Sequence, residues 1–174
     1  MKQYGTIFGR YYMLKHFILI LAIAFVGKVS AQQNVKMVAF DQVKELMNRN
    51  TDTTYVINFW ATWCNPCVHE LPNFLKLDSI NKNNKVKVYL VSLDAPKDIE
   101  TRLKPFVKKK NIQCPVWLLQ GPDSWIDNVD SSWDGTIPST LVINNKLKMR
   151  QFTQKELSME ALNNMVSPFV SKNR

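Results

Sequence analysis

Glycine and cysteine are scarce in this 174-residue chain, which has five glycines, eight prolines and three cysteines. So little glycine, with no periodic or low-complexity run, excludes a collagen-like or disordered chain. Three cysteines are too few for a disulfide-stapled mini-domain, and a chain of this length does not need one. No Gly-rich nucleotide loop, internal repeat or linker is present, so no nucleotide site of that kind and no second domain is expected. Hydrophobic residues make up 45% and charged residues 21%. That balance fits one globular domain and excludes a polytopic membrane protein.

The only long apolar run lies near the start. Lys15 and His16 precede Phe17 to Val26, and Val29-Ser30-Ala31 follows as a small-x-small site. A basic start, a short apolar stretch and such a site predict a cleaved signal peptide over residues 1–31, with Met13 a tidier initiator than Met1. Residues 17–26 would span only about 15 Å as a helix, half of a bilayer core, which disfavours a retained anchor. Gln32 and Gln33 stand where a lipoprotein would need cysteine. Cleavage removes four basic residues and no acid, so the net charge of +9 falls by four to +5. Lys108-Lys109-Lys110 is the only dense basic cluster and reads as a solvated helix face, so no nucleic-acid partner is expected.

In the remaining domain, residues 32–174, helical and strand patterns alternate. Phe40, Val43, Leu46 and Met47 predict a helix capped by Asp41, and Thr54 to Ala61 a buried strand. Leu71, Phe74, Leu75 and Leu77 place a helix over Pro66 to Ile80, kinked at Pro72. Strands are expected over Lys85–Leu93, Val116–Leu119 and Pro138–Ile143, the last turning at Asn144-Asn145 into Leu147–Phe152. A helix over Pro96–Asn111 is expected to be interrupted at Pro105. Gly121 to Asp134 reads as a loop with a helical turn, and a final helix as running from Gln154 to Ser167, ended or bent by Pro168. The order predicts an α/β layer fold with a mixed sheet.

The chemistry concentrates in Trp60-Ala-Thr-Trp63-Cys64-Asn65-Pro66-Cys67, between a strand and a helix. Two cysteines at this spacing can close a small disulfide. At a helix N-terminus, unpaired amides and the helix dipole favour a thiolate, which makes Cys64 the nucleophile. Cys67, one turn in, would resolve the mixed disulfide. Pro66 stiffens the first turn, where its missing N–H costs nothing. A structural disulfide remains an alternative, as does a zinc site completed by Cys114 and His69, although neither residue shows finger or ribbon spacing.

This segment resembles the thioredoxin fold and, more narrowly, the exported TlpA/ResA-like thiol-disulfide oxidoreductases, over roughly residues 36–167. The resemblance implies a mixed central sheet flanked by helices, with an extra α-β insertion before a cis-proline strand. The 44 positions between Asp94 and Pro138 leave room for that insertion. It implies a cis bond at Ile137-Pro138, with Ile137 offering backbone groups to an incoming client strand. Glu70, one helical turn from Cys67, aligns with the glutamate this subfamily keeps near its cysteines, where it would relay a proton to Cys67. Asn58 stands in place of the buried aspartate of ordinary thioredoxins, which moves proton handling toward Glu70. Trp63 is expected to shield the disulfide and touch substrate, and Trp60 to pack in the core. Cys114 reads as a small buried hydrophobe and His69 as pointing to solvent, where its charge would tune Cys64.

The function implied is an exported, monomeric, cofactor-free reductant of protein disulfides. Its electrons would come from a membrane-embedded thiol donor, with apo-cytochrome c in cytochrome c maturation a candidate client and the periplasm the expected location. The rivals are a disulfide-forming oxidase, a metal- or haem-handling chaperone using the same cysteine pair, and a binding module without turnover.

Overall fold

The computed structural model describes residues 35–81 and 85–171; the expected signal peptide and its cleavage site lie outside the described residues. Six strands form one sheet: β1 (Val35–Ala39), β2 (Thr54–Trp60), β3 (Val86–Ser92), β4 (Val116–Gln120), β5 (Ser139–Asn144) and β6 (Met149–Thr153). Their spatial order is β1-β4-β3-β2-β5-β6. The first four run parallel, and β5 and β6 pair antiparallel to complete a mixed sheet.

Helices cover both faces, which is why all seven residues of β2 are buried. Its period of two sends Val56 and Trp60 into one core with Leu71 and Phe74 of α2 (Asn65–Ile80), Val107 of α3 (Lys104–Lys109) and Phe169 of α5 (Met159–Ser171). Tyr55, Ile57 and Phe59 point the other way, to α1 (Phe40–Met47) and α4 (Ile126–Val129). Each fully buried Leu or Phe in these layers contributes about 1.5–3 kcal/mol. Asn58, between Val56 and Trp60 in the alternation, therefore faces α2. The expected insertion is α3 with β4, and β4 enters the sheet between β1 and β3.

Several local expectations are corrected. β1 was absent from the sequence pattern because only Val38 of its five residues is buried. The N-cap of α1 is Ala39 rather than Asp41, with the Ala39 N–H donating to Gln42 Oε1 at 2.8 Å. Pro105 does not interrupt a helix. It sits in the first turn of α3, where its missing N–H has no partner to lose, after a 3-10 turn at Pro96–Asp98 and a π-turn at Ile99–Leu103. α2 runs through Pro72 to Ile80 as expected, whereas α5 does not end at Pro168 but runs on to Ser171. The β5–β6 turn occupies residues 145–148, with Lys148 at φ 53°, while Asn144 ends β5 and donates to Thr54 Oγ1 at 3.1 Å. α5 starts at Met159, five residues later than expected, because Gln154 and Leu157 are engaged elsewhere. The Ser158 hydroxyl instead accepts the Ala161 N–H at 3.1 Å.

Candidate active site

The loop after β2 delivers Cys64 to the N-cap of α2. Cys64 and Cys67 are joined in a disulfide with Cα atoms 5.3 Å apart. The Cys67 N–H donates to Cys64 Sγ at 3.3 Å, and Pro66 occupies the first turn. That turn contains no acidic residue, so no carboxylate competes for the helix N-terminal amides. Cys64 is 6% exposed and Cys67 1%, so Cys64 is the more accessible of the two.

Across from the pair, the Ile137–Pro138 bond is cis. The Ile137 carbonyl oxygen lies 3.7 Å from Cys64 Sγ. Trp63, next to Cys64 in the chain, is 57% exposed, while Trp60 is fully buried as expected.

Glu70 is not a solvated helix residue. It is 1% exposed, accepts the Asn58 side-chain amide on Oε1 at 2.8 Å, and accepts the Leu157 N–H on Oε2 at 2.7 Å. Burial pushes its carboxyl up from 4.5 to about 7, against the lowering effect of these two hydrogen bonds and with a further rise from the nearby Glu156 charge. Asn58 also donates to Thr140 Oγ1 at 3.2 Å, leaving its Oδ1 unpartnered among the described residues. His69 points outward and pairs with Glu156, which raises its pKa, first through their hydrogen bond. Cys114 is buried and its thiol is pushed up to about 12 by that burial, which makes it a poor nucleophile at neutral pH.

Sequence reasoning missed Asp94 as part of this site. Buried at the end of β3, it accepts the Thr62 N–H at 3.0 Å, the Thr62 hydroxyl, and the Ser92 hydroxyl at 2.7 Å, clamping the loop that carries Cys64. The signal was a lone acid directly after an apolar strand. Asp94→Ala strips these donors of their buried acceptor and is expected to cost about 2 kcal/mol. The urea midpoint should fall by about 1 M; an unchanged midpoint would remove the clamp's structural role.

The family model for AhpC/TSA matches residues 31–152. This chain belongs to the AhpC/TSA family. Among curated relatives, it is 28% identical over 91 residues to sporulation thiol-disulfide oxidoreductase A of Bacillus subtilis, a stretch covering 52% of this chain and 53% of that protein. It is 26% identical over 105 residues to the thiol-disulfide oxidoreductase ResA of Geobacillus kaustophilus, covering 60% and 56%. The chain spans about half the length of the curated relatives it matches. Among solved structures, this AhpC/TSA chain resembles a secreted thiol-disulfide isomerase from Corynebacterium glutamicum, with a TM-score of 0.59 at 17% identity over 74% of this chain and 75% of that one. It also resembles a thioredoxin-family thiol:disulfide interchange protein from Chlorobium tepidum, with a TM-score of 0.57 at 20% identity over 68% and 81%. At these identities the likeness establishes the thioredoxin fold.

Proposed function

We propose that this protein is an exported thiol-disulfide oxidoreductase that reduces disulfides in client proteins. The observation that carries the reading is the placement of Cys64 Sγ at the N-cap of α2, facing the Ile137 carbonyl of the cis-Pro138 loop. An extended client segment pairing with Ile137, and resting on the exposed Trp63, would lie against the attacking sulfur.

The cycle begins with both cysteines reduced. The Cys64 thiolate attacks one client sulfur, forming a mixed disulfide and expelling the other client sulfur as a thiolate that takes a proton. Cys67 gives its proton to the Glu70 carboxylate and attacks Cys64 Sγ. The second client thiol leaves, and the Cys64–Cys67 disulfide carries away the two-electron oxidation. A thiol donor embedded in the membrane restores the dithiol by the reverse exchange. Export rests on the signal-like residues 1–31 and on the secreted character of a structural relative. Among the described residues no helix is long and apolar enough to cross a membrane.

The direction of electron flow is tested by equilibrating the domain from Gln32 against dithiothreitol ratios and following tryptophan fluorescence. A midpoint of about −270 mV or lower is expected for a reductant. A midpoint near about −120 mV would make the protein a disulfide-forming oxidase. Stoichiometric metal retention with poor disulfide exchange would replace both with a chaperone role.

A further inference from the structure

The loop that faces Cys64 is held from beneath by a buried tryptophan. Trp133 is 3% exposed and packs against Phe59 of β2, Trp125 and Phe152 of β6, with ring centroids 4.7, 5.3 and 5.7 Å away. Its indole N–H donates to the Thr136 carbonyl at 2.7 Å, and the Ser139 hydroxyl donates to the same oxygen at 2.7 Å. Between them the chain turns tightly: Gly135 holds φ +88°, and the Thr136 N–H donates to Asp134 Oδ1 at 2.9 Å. Gln154 fastens the outer side, accepting the Asp134 N–H at 3.0 Å and donating to the Ser132 carbonyl at 2.8 Å.

A buried indole N–H normally finds some acceptor, so the bond alone says little. The identity of the acceptor is what matters. The Thr136 carbonyl belongs to the peptide just before Ile137, whose own carbonyl lies 3.7 Å from Cys64 Sγ. In a trans peptide the C=O and N–H point in opposite directions. Drawing the Thr136 oxygen inward therefore turns the Ile137 N–H away from Trp133. Elsewhere the same core uses an indole as bulk alone: Trp60 is fully buried and its Nε1 has no partner among the described residues.

We propose that Trp133 is a positioning residue for client binding. Its indole N–H holds the Thr136 carbonyl inward, so that the Ile137 backbone groups are presented to an extended client segment beside Cys64. This rests on the reading that the cis-Pro138 loop docks clients. Trp133→Phe keeps an aromatic ring in the cluster and deletes the donor. Site-specific benzothienylalanine at position 133 keeps the indole shape as well, with sulfur replacing N–H.

Both variants are assayed with a peptide containing a disulfide and with hydroxyethyl disulfide, which has no peptide backbone to dock. The expected result is a kcat/KM for the peptide lower by about tenfold, carried by KM. The rate with hydroxyethyl disulfide and the Cys64–Cys67 potential should stay at parental values. An unchanged peptide KM, or equal losses on both substrates, would overturn the proposal. So would loss of the fold in the isosteric variant, which would make the N–H a stability element. Failure of the parent protein to exchange with either disulfide would instead sink the oxidoreductase reading itself.

Discussion

Cys67→Ser is expected to trap the client covalently on Cys64 and to lower turnover by a factor on the order of 10³ or more. Once Cys64 is tied to a client, release needs a second sulfur in line with the mixed disulfide. Cys67 provides it without backbone movement, because the Cα atoms already stand 5.3 Å apart, inside the range a disulfide accepts. A serine hydroxyl at that place stays protonated and forms no bond to sulfur. Cys114 offers no detour, being buried with its thiol pushed up to about 12. The check is mass spectrometry of the reduced variant quenched with acid after mixing with a peptide disulfide. One peptide should be found attached at Cys64, and Cys64→Ser should give no adduct. An adduct at Cys67 in the Cys64→Ser variant would reverse the assigned order of attack, and undiminished turnover in Cys67→Ser would show that Cys67 is not the resolving thiol.

The parts of this arrangement that were legible in the sequence are those whose cause is local. The unbroken apolar run of β2 reads as a strand covered on both faces, and a proline one residue before Cys67 marks the first turn of a helix. With those two elements named, Cys64 has only one place to be. What stayed hidden depends on partners far along the chain. The family resemblance points to Glu70, but its burial and its hydrogen bonds to Asn58 and Leu157, 12 and 87 positions away, leave no mark in the local pattern. The start of α5 was misplaced for the same reason: Gln154 gives its side chain to the backbone at Ser132 and Asp134 instead of opening the helix. Proline misled at Pro105, and at Pro168 only in that α5 runs past it, the Asn164 carbonyl taking the Ser167 hydroxyl at 3.4 Å, because its effect depends on where in the helix it falls and on what replaces the bond it lacks. That is a property of position within the helix, which periodicity fixes only to within a few residues.

Glu70 gives the second large effect, and it has two separable signatures. In the resolving step Glu70 must be ionised to take the Cys67 proton, so the rate of client release should rise with pH and level off above about 7. Glu70→Gln keeps an acceptor for the Leu157 N–H but cannot take a proton. It is expected to lose the inflection and to slow release by about a hundredfold. The second signature is in stability. Between 4.5 and about 7 the folded protein holds a proton that the unfolded chain has released, so rising pH across that window favours unfolding. The contribution is fully present below 4.5 and is lost as pH passes about 7, a difference of about 3 kcal/mol. The His69–Glu156 pair slopes the same way, since a raised histidine pKa also gives stability that is lost as pH rises, but it is present in both proteins and cancels between them. Urea unfolding with the disulfide intact, from pH 4.5 to 8, should therefore show the parent losing stability toward neutrality and Glu70→Gln losing much less. Parallel profiles would mean that the carboxylate is already ionised at low pH. Glu70 would then be ionised throughout this range, a weaker base for the Cys67 proton, and the rate of client release should show no inflection near 7.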